Sequence, residues 1–302
     1  MSNEKKIGFI GLGNMGFPMA KNLLGKGYTV YALDVNKDRE NSFAELGGTT
    51  GLTTASLVNE VDFVFTSLPT PAIAEEVFLG ETGIINSCAK PLTLVDLSTI
   101  SPELNRKIAE VAEQKSLEYL GAPVSGSVSG AENATLSIMV GGDKATYEAT
   151  LPYLDVLGSN VFHVGDDPGV GTVVKLINNL MAGFHNQAAA EALTLAERAG
   201  VDPDIVYDIV NVSSGQSTIF TRNYKSYISK DEYKKGAFTT ALLLKDLKLA
   251  KEVSDSLHGK LPLAEKLIAY YDAEIENGHA DKDMSASYLM IQDEIKKQLQ
   301  ET

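Results

Sequence analysis

The pattern of apolar and polar positions changes character partway along the chain. In the first half, short apolar runs alternate with amphipathic stretches. Ile7–Ile10, Thr29–Leu33, Phe63–Leu68, Leu92–Leu97, Glu118–Leu120, Leu136–Val140 and Val161–Val164 read as strands. The clearest helix between them starts at Ser101-Pro102, an N-cap followed by proline in the first turn, and its apolar face is Leu104, Ile108, Val111 and Ala112. This alternation predicts an α/β domain with a mainly parallel sheet covered by helices on both faces. The pattern ends at Gly165-Asp166-Asp167-Pro168-Gly169. From Val170 to Ala199 the chain reads as one long helix, apolar on most sides and closed by Gly200; Asp202-Pro203 starts another, and helical runs follow near 239–257, 262–277 and 284–300. No strand pattern appears after residue 165. The expected division is therefore a doubly wound domain over residues 1–166 and an all-helical domain over 167–302 that opens with a long interdomain helix. A helix apolar all round has to be covered by other helices, by the first domain or by a second copy, so a homodimer or homotetramer is expected.

The first strand runs directly into Gly11-Leu12-Gly13-Asn14-Met15-Gly16. A G-x-G-x-x-G by itself is a weak signal, but here it follows a strand, opens a helix carrying Met19, Ala20, Leu23 and Leu24, and leads through a second strand to Asp34. In such a Rossmann-type unit the first glycine makes a tight turn. The second lets a pyrophosphate approach the backbone, and the third brings helix and strand together. The diphosphate sits on free N–H groups at the helix start. Asp34 stands where a carboxylate accepts hydrogen bonds from a ribose diol, and its charge disfavours a 2′-phosphate. NAD is thus the expected cofactor. Lys37 and Arg39 lie close enough to soften that preference and keep NADP possible.

Composition narrows the field. The formal charge of −14 argues against nucleic acid or an anionic membrane as partner. The one cysteine, Cys88, allows no intrachain disulfide and sits in a loop-like context where an inert thiol is expected. No segment resembles a signal peptide or a bilayer span, which fits a cytoplasmic protein. The histidines His163, His185, His258 and His279 show no ligand spacing, so no metal site is expected, and Asp281 and Asp283 read as a helix start. His185, on the long helix, reads as core packing.

One position breaks the apolar pattern. Lys175, Asn178 and Asn179 sit among Val173, Val174, Leu176, Ile177, Leu180 and Met181 at the beginning of the long helix. Residues three and four apart share a helix face, so these three form a polar stripe on a greasy rod. Such groups are costly to bury without partners. A desolvated lysine also titrates nearer neutrality, which suits proton transfer. A lysine snorkelling beside surface asparagines is the plain alternative. Ser213–Ser217 reads equally as an interhelical loop or a pocket lining. Arg222 is a candidate anion contact, with surface solvation the plainer reading.

Four motifs in order resemble the β-hydroxyacid dehydrogenase family: Gly-Phe-Ile-Gly-Leu-Gly-Asn-Met-Gly at 8–16, Ala-Pro-Val-Ser-Gly-Ser-Val-Ser-Gly-Ala-Glu at 122–132, Gly171-x-x-x-Lys175-x-x-Asn178-Asn179, and Lys245-Asp246-Leu-Lys-Leu-Ala250. The resemblance implies hydride transfer between NAD(H) and a small carboxylate-bearing hydroxyacid or semialdehyde such as 3-hydroxyisobutyrate. Tartronate semialdehyde, or succinic semialdehyde and glyoxylate reduction, are alternatives. It further implies Lys175 as general acid/base and Asn179 as its companion on the next turn. Ser125, Gly126, Ser127, Asn178 and Asp246 would lie around the substrate. Lys245, Leu68, Pro69 and Thr99 would stand at the nicotinamide end of a cofactor whose other contacts are the 11–16 loop and Asp34. Departures from the family pattern are Gly121 where Asp is common, and Ser127 and Ala134 where glycines are common. Imine reductases share the architecture but usually replace the lysine, and 6-phosphogluconate dehydrogenase is larger. A non-catalytic dinucleotide-binding module is the remote alternative.

Overall fold

The computed structural model describes residues 5–233 and 238–301. It divides into two compact units, Met1–Lys175 and Leu176–Thr302. The N-terminal unit runs β1 (Lys6–Ile10), α1 (Gly16–Gly25), β2 (Thr29–Leu33), α2 (Lys37–Glu45), α3 (Thr54–Glu60), β3 (Phe63–Thr66), α4 (Pro71–Leu79), α5 (Ile84–Ser87), β4 (Thr93–Asp96), α6 (Pro102–Gln114), β5 (Glu118–Gly121), β6 (Val124–Ser125), α7 (Ser127–Glu132), β7 (Leu136–Gly141), α8 (Lys144–Leu154) and β8 (Gly158–Gly165). Its eight strands form one sheet in the order β2-β1-β3-β4-β5-β7-β6, with β8 paired to β7. The pairs from β2 to β5 are parallel, and β7 runs antiparallel to β5. Two apolar layers cover it. One includes Ile7, Phe9, Met19, Leu23 and Phe65. The other includes Leu57, Val64, Phe78, Leu94 and Ile108. The expected doubly wound, mainly parallel sheet is what forms.

β3 and β4 stop two residues or one short of the apolar runs that announced them, at Thr66 and Asp96. The following residues leave the sheet to make loops, where Leu68 N–H donates to Ser98 Oγ at 2.8 Å. The two-residue β6, antiparallel to β7, carries too little pattern to be read from sequence. Helix starts follow local chemistry. Asn36, Thr53, Thr70, Ser101, Asp143, Asp202, Ser217 and Thr239 each accept a first-turn N–H on the side chain.

The helix α9 (Val170–Arg198) is followed by α10 (Pro203–Asn211), α11 (Thr218–Ser226), α12 (Thr240–Ser256), α13 (Pro262–Glu276) and α14 (Ser287–Glu301), the last preceded by a 3₁₀ turn over Met284–Ala286. The expected change at 166/167 coincides with the end of β8, whereas the compact units divide at 175/176. The first turn of α9 packs against the N-terminal sheet, for reasons given below. Among the described residues, no helix is long and apolar enough to cross a membrane.

The helical unit contains a buried acid. Glu274 is fully buried, and neither carboxyl oxygen has a hydrogen-bond partner among the described residues. Burial first, and Glu294 second, push its pKa up to about 8, with Lys282 opposing. The folded pKa lies above the ordinary value of 4.5. The folded state therefore holds a proton that the unfolded chain releases, and stability is expected to fall as pH rises between these two values, then level off. Urea midpoints measured across that range should show the decline in the wild type and a much flatter profile in Glu274→Gln.

Candidate active site

The glycine loop leaves β1 at the carboxyl edge of the sheet. Gly11 has φ +97, and a Cβ there would lie 2.3 Å from the Ser67 carbonyl oxygen. A Cβ on Gly16 would lie 1.9 Å from the Gly11 carbonyl oxygen. Those two glycines are required by the protein's own packing. Gly13 is different: nothing in the protein lies within 4 Å of where its Cβ would stand. Its bare backbone faces open space beside the start of α1, whose cap residue Met15 offers no side-chain hydrogen bond and whose first turn has no acidic residue. Unsatisfied N–H groups at such a helix start suit an anion. The loop therefore fits the pyrophosphate of a dinucleotide.

Asp34 follows β2. Its Oδ2 accepts the Leu12 N–H, and its Oδ1 accepts the Asn36 N–H at 2.7 Å. One carboxylate thus ties the glycine loop to the turn that opens α2, with lone pairs remaining for a diol. Lys37 Nζ donates to Glu40 Oε2 at 2.8 Å, and Arg39 donates to Asn14 Oδ1 at 3.3 Å. Leu68 and Pro69 follow β3, and Thr99 follows β4 by three residues. Because β2, β1, β3 and β4 are parallel neighbours, Asp34, the glycine loop, Leu68-Pro69 and Thr99 fall in that order along one edge of the sheet. Ligands of open α/β sheets bind at this edge, where the strand order reverses.

The 122–132 segment makes a tight structure. Gly126 has φ +143, and the two departures from the family pattern, Ser127 and Ala134, also adopt positive φ, +63 and +55. The glycines common there thus match the backbone this loop needs, and the side chains here carry strain. Ala134→Gly is expected to stabilise the protein by about 1 kcal/mol, raising Tm by roughly 2–4 °C in a thermal melt. The third departure has a steric reason. A Cβ on Gly121 would lie 2.2 Å from the Pro168 carbonyl oxygen and 2.8 Å from Asn105 Oδ1, so no aspartate fits.

That close approach belongs to the base of α9. A Cβ on Gly171 would lie 2.1 Å from the Met139 carbonyl oxygen, and one on Gly169 would lie 2.7 Å from that of Pro102. A buried polar chain adds direction. Thr66 Oγ1 donates to Asp96 Oδ1 at 2.7 Å, Tyr119 Oη lies 3.5 Å from Asp96 Oδ2 and donates to Asn105 Oδ1 at 2.6 Å, and Asn105 Nδ2 donates to Thr172 Oγ1 at 2.8 Å. Burial raises the pKa of Asp96 against the hydrogen bonds of Ser98 and Thr66, and raises that of Tyr119. The first turn of α9 is therefore held by the sheet. Sequence reading missed this chain because Asp96 and Tyr119 lie within runs read as apolar strands.

Lys175 stands one turn beyond Thr172 and is buried. Asn179 is buried as well, and its Nδ2 donates to Asp246 Oδ2 at 2.5 Å. Lys245 Nζ lies 3.1 Å from Asp246 Oδ1, close but bent away from hydrogen-bond alignment. In the helical unit the structure thus joins Asn179, Asp246 and Lys245. Asn178 departs from the expected single stripe. It is exposed, while its Nδ2 donates to Asn179 Oδ1 at 3.1 Å. Steps of three and four residues diverge by 100° on a helix, and only the four-residue step keeps Asn179 on the buried side with Lys175.

Other candidates resolve differently. Arg222 is neither a free anion contact nor a solvated surface group. It makes a paired contact through Nη1 and Nη2 with the fully buried Asp283, and its guanidinium lies 4.6 Å from the Tyr227 ring centroid. Asp283 also caps the 3₁₀ turn by accepting the Ser285 N–H. Ser217 Oγ caps α11, and Gln216 N–H donates to the Ser213 carbonyl at 3.1 Å, so 213–217 forms an interhelical turn. Cys88 is a free thiol that donates to the Lys90 carbonyl. His185 is half-buried rather than a full core residue. No cluster of three or more His, Cys, Asp or Glu able to hold a metal ion occurs among the described residues.

A glycine turn leading into a helix start at the carboxyl edge of a parallel sheet, with an acid closing the next strand, defines an NAD(P)-binding oxidoreductase domain. Residues 6–165 match the family model for the NAD binding domain of 6-phosphogluconate dehydrogenase, and residues 169–291 match that for the NAD-binding of NADP-dependent 3-hydroxyisobutyrate dehydrogenase. The chain is 38% identical over 286 residues to 2-(hydroxymethyl)glutarate dehydrogenase of Eubacterium barkeri, covering 95% of this chain and 94% of that one. It is 34% identical over 300 residues to mitochondrial 3-hydroxyisobutyrate dehydrogenase of Mus musculus, covering 97% and 89%. The Mycobacterium tuberculosis 3-hydroxyisobutyrate dehydrogenase structure with L-serine superposes with a TM-score of 0.85 at 32% identity, covering 95% and 99%. The chain belongs to the β-hydroxyacid dehydrogenase family, and it is an NAD(P)-dependent dehydrogenase acting on hydroxyl groups.

Proposed function

We propose that the protein interconverts a 2-(hydroxymethyl) carboxylate and the corresponding semialdehyde, with NAD preferred and 3-hydroxyisobutyrate as the reference substrate. The observation that carries this reading is the buried Lys175 one helical turn before the buried Asn179–Asp246 pair. Two relatives support the substrate class. 3-Hydroxyisobutyrate and 2-(hydroxymethyl)glutarate both present a primary alcohol one carbon from the carbon bearing the carboxylate, and differ in the branch at that carbon. The 38% identity to the second relative favours the longer, acidic branch as the alternative.

The dinucleotide, when bound, accepts or supplies the hydride. Lys175 as a neutral amine takes the hydroxyl proton during oxidation and, as an ammonium, returns it during reduction. Asn179, anchored by Asp246, orients the substrate oxygen beside that amine. Ser125 and the Gly126 backbone hold the carboxylate, with Ser127 adding a hydroxyl, and this fixes the approach of the reacting carbon. Lys245 and Thr99 serve the nicotinamide end. Asn178 adds a substrate contact from the same turn, with its Nδ2 donating to Asn179 Oδ1. A spectrophotometric panel following NADH and NADPH with 3-hydroxyisobutyrate, 2-(hydroxymethyl)glutarate, glycerate and 4-hydroxybutyrate tests the assignment. Turnover confined to 4-hydroxybutyrate would overturn it in favour of succinic semialdehyde reduction, and turnover confined to glycerate would keep the 2-(hydroxymethyl) carboxylate class but replace 3-hydroxyisobutyrate by the tartronate semialdehyde couple.

Self-association belongs to the same proposal. It is supported by exposed apolar side chains, Ile177, Met181 and Leu195 on α9 and Ile205, Ile209 and Val212 on or beside α10. Light scattering should give a dimer or tetramer; a monomer at working concentration would refute it.

A further inference from the structure

We propose that Glu40 determines the discrimination against a 2′-phosphate, by anchoring Asp34 with one carboxylate oxygen and neutralising Lys37 with the other. The inference rests on the NAD preference proposed above and names the residue that enforces it. Glu40 is a glutamate in the first turn of a short polar helix, where a charged side chain ordinarily faces water. Here it is 2% exposed. Its Oε1 accepts the Asp34 N–H at 3.0 Å, and its Oε2 accepts from Lys37 Nζ at 2.8 Å. The first bond sets the turn that presents the Asp34 carboxylate, whose oxygens are engaged by the Leu12 and Asn36 N–H groups.

The second bond concerns charge. Two cations follow Asp34 closely enough to attract a phosphate on the adenosine ribose, Lys37 and Arg39. Arg39 is directed toward Asn14, and its guanidinium lies 5.7 Å from the Phe17 ring centroid. Lys37 is 67% exposed along its side chain, yet its ammonium ends on the buried Glu40 carboxylate. Residue Val35, directly after Asp34, is fully exposed and offers no charge at all. A 2′-phosphate entering this corner would thus meet Asp34 and find Lys37 already paired. Glu40 acts through Asp34 and Lys37, and is a positioning residue.

The two bonds can be separated. Glu40→Gln keeps an oxygen for the Asp34 N–H but presents an amide N–H to Lys37, which releases the ammonium. Equilibrium binding of NAD and NADP to the full-length protein, measured by titration calorimetry, reads the consequence without turnover. In Glu40→Gln the ratio of Kd for NADP to Kd for NAD should fall about fivefold, the scale of one solvent-screened ion pair, with NAD affinity held within about twofold. Adding Lys37→Met to Glu40→Gln should restore the wild-type ratio. Lys37→Met alone, a change at an exposed side chain that leaves the buried Glu40 carboxylate without its cation, should weaken NADP binding relative to NAD. An unchanged ratio in Glu40→Gln, a fall that persists without Lys37, or tighter NADP binding in Lys37→Met alone would each overturn the proposal. Tighter binding of NADP than NAD by the wild type would instead overturn the NAD reading beneath it.

Discussion

Replacing Lys175 with alanine is expected to lower kcat by about 10³-fold, within the range supplied by a positioned general acid/base, while the Kd for NAD changes by less than about twofold. The side chain is buried at the end of a helical turn whose base is fixed by Gly171 and by Thr172, so the alanine should leave the helix in place. Lys175→Arg separates proton transfer from charge. A guanidinium stays protonated at any workable pH and cannot act as the base. It should therefore be as defective in alcohol oxidation as alanine, and a small primary amine added to Lys175→Ala should recover part of the rate. Full activity in Lys175→Arg would assign the position an electrostatic role only.

Removing the Arg222 guanidinium should produce the largest loss of stability. Asp283 is fully buried and receives both Nη1 and Nη2, together with the N–H and hydroxyl of Ser285 at 3.1 and 2.8 Å. Arg222→Leu leaves that carboxylate without its cation, a change that costs about 3–5 kcal/mol when one partner of a buried pair is lost. Chemical denaturation should show the loss directly. Asp283→Asn introduced into Arg222→Leu should recover part of it, since the unpaired charge is then gone and the two sites are coupled through one contact. A raised KM for the hydroxyacid with unchanged stability would return Arg222 to the role of an anion contact.

The two residues show how far sequence reading reaches into the site. Lys175 stands out because a cation interrupts an apolar helix, and such an interruption is visible one residue at a time. Arg222 stands out in sequence only as a candidate anion contact or a solvated surface group, since an arginine in an amphipathic helix has the pattern of a surface residue. Its partner lies 61 positions away in sequence. Glu40 is hidden because a glutamate in a short polar helix also has a surface pattern, although its partners Asp34 and Lys37 are only six and three positions away. Ser127 and Ala134 were legible as departures from the family pattern, but their meaning required φ values. The structure turned two apparent substitutions at a substrate loop into two strained backbone positions.

By itself the sequence determined whatever is written in local periodicity: the alternation that makes a parallel sheet, the glycines and Asp34 at the close of successive strands, the capped helix starts, and the lysine on the long helix. These features act between residues close in the chain, so spacing alone carries them. Tertiary structure decided which charged groups were buried together and which were left in water. It also decided why Gly121 admits no side chain, how the sheet holds the base of α9, and why Asn178 parts from Asn179. Each depends on atoms brought within bonding or van der Waals distance from remote segments, and those forces act over a few ångströms that no spacing along the chain encodes.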